Sequence, residues 1–337
     1  MEKDTFYFQW HITNVCNLRC RHCYQDDFTS QGELSWPQLK KVADNIITTL
    51  KTWRKSALIT VTGGEPLIKK ESFALLGYLN DSTHVKELNI ITNATLLDEK
   101  TVSDLRLIPK LKRVKFSLEG ITAQTNDSIR GEGSFKRIMN ALEILKKHSH
   151  VKTHLMFTLL RNNIKEIPQV FNFCRQHRIE GVILERFIPI GKGKALRKEV
   201  LTRDDWKEVT DLLMEFCQID ADQTALLSQR AFWVRFPKDS APELLGAPCT
   251  VSCDGLCIMP DATVFPCRRF AVPIGNLLTQ GLDEIWQTSE VLHNVKKKSN
   301  LEGKCKTCAV DECKGCRALA HALTGNYLAE DSQCWLP

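Results

Sequence analysis

The chain has 337 residues, 43% of them apolar and 26% charged, with a formal net charge of +6, the make-up of an ordinary globular protein with a sizeable core. It contains no apolar run near the roughly 20 residues that cross a bilayer, and its opening, Met1-Glu2-Lys3-Asp4, is neither a signal nor a transit peptide. Lys296-Lys297-Lys298, the one compact basic run, reads as a solvated helix end, so a cytoplasmic protein without a nucleic-acid or membrane partner is expected.

The strand-like opening Phe6-Tyr7-Phe8-Gln9-Trp10 leads into a stretch holding Cys16, Cys20, Cys23 and Tyr24. The spacing C-x3-C-x2-C is too tight for two helical faces and suits a loop wrapped around a compact object. A cubane iron–sulfur cluster fits, its three thiolates leaving one iron open to a substrate or cofactor. A partial zinc site or three structural cysteines are the alternatives.

From there to about residue 190, short apolar runs alternate with amphipathic stretches. Strands are predicted at 6–12, 57–62, 87–92, 113–118, 152–159 and 181–187, with helices near 36–50, 71–80, 98–107, 134–148 and 165–177. This alternation implies parallel strands with right-handed crossovers. Six units are too few to close an eight-fold barrel. The expected fold is therefore α/β, a partial (β/α)6 TIM-like barrel over 6–190 with ligands at the carboxyl ends of its strands.

The notable polar residues fall at those strand ends. Thr62-Gly63-Gly64-Glu65-Pro66 follows the second strand; the glycines allow close approach of backbone to a ligand, and Glu65 can accept from an ammonium group. Asn93 follows the third strand, Ser117 and Glu119 the fourth, and Arg186 the sixth. Singly, each is an ordinary cap or turn residue. Arg130 lies in a turn and could pair with a carboxylate, and Ser134 reads as the N-cap of the next helix.

Residues 191–245 read as a helical connection: a flexible Gly191-Lys192-Gly193-Lys194 segment, then a helix over 202–217 capped by Thr202. Fourteen cysteines in a reducing compartment favour metal or redox chemistry over disulfides. Cys174 and Cys217 are isolated and read as small buried hydrophobes. Nine others crowd the segment 246–337, expected to be a small cysteine-rich α+β domain. There, Cys249, Cys253, Cys257 and Cys267 surround a hairpin turning at Pro260-Asp261, a helical stretch covers 282–295, and Cys305-x2-Cys308-x4-Cys313-x2-Cys316 precedes Cys334. Paired C-x2-C motifs signal metal, zinc by default. Nine cysteines do not divide into tetrahedral zinc sites, whereas eight would fill two 4Fe–4S clusters.

Together, C-x3-C-x2-C after strand one, Gly63-Gly64-Glu65-Pro66 after strand two and Ser117 after strand four resemble the radical S-adenosylmethionine superfamily. The resemblance implies that Cys16, Cys20 and Cys23 hold a 4Fe–4S cluster whose open iron binds S-adenosylmethionine. It assigns the amino group to Gly63, Gly64 and Glu65, the ribose region to Asn93 and Ser117, and the carboxylate to Arg130 or Arg186. His22 replaces a frequent aromatic residue, with Tyr24 following. Val264-Phe265-Pro266-Cys267, Ile274-Gly275-Asn276 and Gly315-Cys316-Arg317-Ala318 resemble the SPASM extension of such enzymes. It implies a nearer auxiliary cluster on Cys249, Cys253, Cys267 and Cys316, and a distal one on Cys305, Cys308, Cys313 and Cys334. Cys257 competes with Cys253. Ala262 stands where a hairpin glycine is usual.

The family reading implies an enzyme that reduces its cluster, cleaves S-adenosylmethionine and abstracts a substrate hydrogen through a 5′-deoxyadenosyl radical. A maturase of a ribosomally made peptide or protein, installing a crosslink, an epimerised residue or a backbone excision, is the leading expectation. A haem-pathway (tetrapyrrole) enzyme is the alternative, supported by the tail Gly325-Asn326-Tyr327-Leu328-Ala329-Glu330-Asp331. A sulfatase maturase ranks lower, since Arg268 stands where those enzymes keep an aspartate base. A cluster-bearing electron-transfer protein is disfavoured by the Gly63–Pro66 motif. Because the first strand begins near residue 6, leader recognition is expected from a separate small protein, and electrons from a flavodoxin- or ferredoxin-type reductant.

Overall fold

The computed structural model describes residues 4–148, 151–220, 224–310 and 312–336. Strands β1 (Thr5–His11), β2 (Ser56–Thr62), β3 (Val85–Thr92), β4 (Leu111–Ser117), β5 (Lys152–Leu159) and β6 (Gly181–Arg186) lie side by side in chain order, all parallel. Helices α1 (Trp36–Trp53), α2 (Ser72–Asp81), α3 (Glu99–Arg106), α4 (Ala123–Arg130), α5 (Ser134–Lys147) and α6 (Ile167–Gln176) cross between them. This is the expected six-unit α/β partial barrel.

Local sequence explains these elements. In α1, Leu39, Val42, Ala43, Ile46 and Leu50 recur at helical spacing and are all buried, so one face meets the sheet. Pro37 occupies its first turn, and the Ser35 N–H donates to Gln38 Oε1 (2.9 Å). In β1, Phe6, Phe8 and Trp10 alternate into the core at 0–1% exposure, each burial contributing about 1.5–3 kcal/mol. Thr202 caps α7 (Arg203–Phe216) as expected, its Oγ1 accepting from the Asp205 N–H (3.1 Å). Cys174 and Cys217 are buried in the main core.

Both edges carry more than the six strands. Beyond β6, β7 (Gln229–Arg235) pairs antiparallel and bears the short β8 (Glu243–Leu244) and β9 (Ala247–Pro248). The stretch 191–245 thus holds a strand as well as α7 and the one-turn α8 (Thr224–Leu227). Beyond β1, β10 (Gly255–Ile258) pairs parallel, followed antiparallel by β11 (Thr263–Phe265) and β12 (Gly275–Asn276). The Pro-Asp hairpin therefore extends the barrel's own sheet. Ala262 takes a left-handed φ of 68° there, the conformation for which glycine is favoured.

Four local expectations differ from the structure. Arg130, expected in a turn, is the last residue of α4 (Ala123–Arg130), a helix that the sequence pattern does not predict. The cap of α5 is Gly133, and Ser134 is its first residue; the Asp127 carboxylate of α4 instead accepts from the Gly133 N–H (2.8 Å) and Phe135 N–H (2.7 Å). The helix over 282–295 divides into α9 (Leu282–Thr288) and α10 (Glu290–Lys296), with the Ser289 hydroxyl capping the second. Lys298 is not a solvated end: its Nζ donates to the carbonyls of Cys308 (2.7 Å) and Val310 (2.6 Å). The short α11 (Lys304–Thr307) and α12 (Arg317–Thr324) complete the tail. Among the described residues no helix is long and apolar enough to cross a membrane.

Candidate active site

The cysteine loop leaves β1 and runs across the carboxyl end of β2. Its backbone is held there by Gly64 N–H donating to Thr13 O (2.7 Å) and Glu65 N–H donating to Val15 O (2.8 Å). A Cβ on Gly63 would stand 2.5 Å from Thr13 O, and one on Gly64 2.4 Å from Val15 O. The close backbone approach served by the glycines thus includes that of the cysteine loop itself. Glu65 is fully buried, its Oε1 accepting from Thr92 Oγ1 (2.8 Å) and Leu67 N–H (3.1 Å), its Oε2 from Asn93 N–H (2.7 Å). Burial outweighs these donors and lifts its carboxyl to about 7. Glu65 therefore pins the loop to the end of β3.

Cys16, Cys20 and Cys23 line one cavity of about 440 Å³ at the strands' carboxyl ends, together with Tyr24, Gly63, Gly64, Asn93, Ser117, Arg130 and Arg186. Glu65 is not among the described residues of its wall. Asn93 Nδ2 donates to Asn17 Oδ1 (2.8 Å) and lies 3.7 Å from Cys16 Sγ. Tyr24 Oη donates to Gly63 O (3.2 Å). Burial raises all three thiols, Cys20 to about 11, so loading a metal centre there releases protons. Among the described residues no three His, Cys, Asp or Glu side chains converge on a single ion position. Three thiols spread along a cavity wall fit a cubane, which takes each thiolate at a different iron.

The two arginines expected at a ligand carboxylate each hold a carboxylate of the chain. Arg130 Nη1 donates to Glu119 Oε2 (2.7 Å), and His22 Nε2 lies 3.3 Å from Glu119 Oε1. Burial works to raise the Glu119 carboxyl, but Arg130 and His22 outweigh it and hold it at about 2. Arg186 Nη1 donates to Asp331 Oδ2 (2.9 Å) and Gln333 Oε1 (3.1 Å), and its guanidinium lies 4.2 Å over the Trp206 ring. Arg186 thus ties the end of β6 to the tail.

The later cysteines gather in two places. Cys305, Cys308, Cys313 and Cys334 line a second cavity of about 610 Å³, which Arg186 also borders. Cys249, Cys267 and Cys316 pack against the small apolar cluster of Ile188, Val251, Phe270 and Leu319. Cys253 is exposed, 3.3 Å from Lys314 Nζ, whereas Cys257 is sealed within β10, 1% exposed. The roles of Asp331 and Gln333 are not legible in the sequence because their partner Arg186 lies 145 and 147 residues away. Glu119 and Arg268 were visible in the sequence, one at a strand end and one beside Cys267, but not what they face.

The description "Radical SAM superfamily" fits residues 10–174, and "Iron-sulfur cluster-binding domain" (SPASM) fits residues 249–309. The chain carries a radical SAM domain and a SPASM domain. It is an enzyme of the radical SAM/SPASM type, a class that uses S-adenosylmethionine and iron–sulfur clusters. It is 27% identical over 343 residues to the AdoMet-dependent heme synthase of Methanosarcina barkeri, covering 96% of this chain and 95% of that one. It is 24% identical over 338 residues to the mycofactocin maturase MftC of Mycobacterium ulcerans, covering 96% and 86%. In fold it is similar to anSMEcpe with bound AdoMet (TM-score 0.74, 20% identity, 97% and 90% covered). Streptococcus suis SuiB bound to its precursor peptide SuiA is also similar (TM-score 0.72, 14% identity, 99% and 76% covered).

Proposed function

We propose that this enzyme matures a ribosomally made peptide or protein by taking a hydrogen atom from one of its residues. The observation that carries this reading is the size of the central cavity. About 440 Å³ is room for one drug-sized molecule. With S-adenosylmethionine seated, the remaining space admits a side chain reaching in from an extended substrate. The maturase MftC among its relatives agrees with this.

Cys16, Cys20 and Cys23 hold the 4Fe–4S cluster in this reading, and Gly63, Gly64, Asn93, Ser117 and Tyr24 surround S-adenosylmethionine. Held by these residues, the two cofactors would supply the one-electron chemistry that hydrogen-atom removal needs. The protein's share is orientation and exclusion of water. Asn93 restrains the loop beside Cys16, and the Glu119–Arg130 pair closes the floor without presenting a proton donor at neutral pH. Two further 4Fe–4S clusters bring the total to three. Cys249, Cys253, Cys267 and Cys316 bind the nearer one, and Cys305, Cys308, Cys313 and Cys334 the distal one. A flavodoxin- or ferredoxin-type reductant and a separate leader-recognition protein complete the system.

The test is mass spectrometry of a short peptide encoded beside the gene after anaerobic incubation with the reduced enzyme and S-adenosylmethionine. A mass change at one residue is expected. Conversion of iron-coproporphyrin III, with every such peptide untouched, would replace this reading by a haem-pathway one. That second reading is favoured by the heme synthase relative.

A further inference from the structure

Five arginines line the central cavity, at 113, 130, 186, 268 and 269. Four face carboxylates of the chain: Arg113 with Glu87, Arg130 with Glu119 (2.7 Å), Arg186 with Asp331 (2.9 Å) and Arg269 with Glu185 (3.5 Å). Arg268 differs. It is 6% exposed, and its Nε has no hydrogen-bond partner. Among the described residues it makes no ion pair. Its guanidinium lies 4.1 Å above the Tyr24 ring, and Tyr24 is itself fixed to Gly63 O.

Burying a guanidinium with no carboxylate beside it is costly; the Tyr24 ring beneath it and the neighbouring Cys23 thiol, when ionised, return only part of that. A planar fork of donors with an aromatic face beneath it is suited to a carboxylate held through two N–H groups. The position adds a constraint. Arg268 and Tyr24 also border another cavity, of about 690 Å³, that includes Asn14, Asp26, Lys194 and Met259. The stacked pair thus stands between the central cavity and a neighbouring one.

We infer that Arg268 is the substrate-recognition residue of this enzyme, receiving a carboxylate of the peptide, from an Asp or Glu side chain or the C-terminus, next to the residue that is modified. This rests on the peptide-maturase reading. Arg268 is a positioning and specificity residue; no proton or electron passes through it. The same cation makes a general-base role at this position untenable.

The test is affinity selection of a random dodecapeptide display library on the anaerobically reconstituted full chain with S-adenosylmethionine present. Retained peptides are then resynthesised as acids and as methyl esters. The wild type is expected to enrich Asp- and Glu-bearing peptides, and esterification to weaken their binding about tenfold or more, the loss of one charge-assisted pair. Arg268→Gln should lose the acidic enrichment and Arg268→Lys retain part of it. The ester comparison uses only wild-type protein, so it stands even if the Gln variant fails to fold. Equal binding of acid and ester would overturn the inference and leave the peptide reading intact. Retention of no peptide at all would overturn the inference, and leave the peptide reading to its own mass-spectrometric test. A variant whose S-adenosylmethionine affinity falls tenfold while peptide selection is unchanged would assign the cation to the cofactor and overturn the inference.

Discussion

Glu119 is buried at the end of β4, where a solitary carboxylate would be driven neutral, and Arg130 and His22 keep it charged. Replacing it by Gln strands the Arg130 cation, so Glu119→Gln should cost about 3–5 kcal/mol in anaerobic urea unfolding; an unchanged midpoint would contradict the pairing. His154 on β5 is held neutral by burial, with Lys115 and Arg113 adding to the effect, at about 3, and packs edge-on against Trp233 at 5.2 Å. Its ordinary value is 6.5, so between the two the unfolded chain takes up a proton that the folded chain refuses. Stability from this group is complete above about 6.5 and drains as pH falls toward 3. His154→Phe should flatten that part of the acid limb in urea midpoints measured from pH 7 to 4. Cys253 is exposed beside Lys314, whereas Cys257 is sealed within β10. Cys257→Ala should leave the iron content of the reconstituted protein unchanged and Cys253→Ala should lower it; the reverse would exchange their roles.

Between β1 and β2 the structure depends on absent side chains. Gly64→Ala places a methyl group 2.4 Å from Val15 O and 2.5 Å from Asn14 O, both backbone, so the cysteine loop must move. The expected result is a barrel with normal far-ultraviolet circular dichroism that has lost about the four irons of one cubane per chain. Full iron loading would show that the loop accommodates the methyl. The six β/α units could be read in the sequence because each strand is a run of six to eight residues whose apolar pattern is local. The edge strands β8, β9 and β12 have two residues each, too few for any period, while β10 and β11 were legible as the hairpin turning at Pro260-Asp261 but not as part of the barrel's sheet. Their existence depends on partners far along the chain, as Tyr7 opposite Gly255 illustrates. α4 was missed for a similar reason: Ala123–Arg130 is polar, and Asp127 makes sense only once the loop over 131–135 folds back onto it.

At the scale of the whole molecule, Arg186 joins the barrel to the tail, bordering both the central cavity and the distal cysteine cavity. Arg186→Ala leaves Asp331 buried without its cation, and should lower stability by about 3–5 kcal/mol and distal-cluster occupancy with it, read as iron per chain. The cysteine spacings made the candidate site legible, since ligand number and order are written along the chain. The charge pairing of the cavity was not, because Glu119 with Arg130 and Arg186 with Asp331 are products of folding. Cys16, Cys20 and Cys23 are proposed to carry the cluster at which S-adenosylmethionine is cleaved. The most direct measurement is 5′-deoxyadenosine release by the anaerobically reconstituted, reduced protein beside its Cys20→Ala variant. The account predicts release by the wild type and none by the variant; no release from fully iron-loaded wild type, or equal release from both, would contradict it.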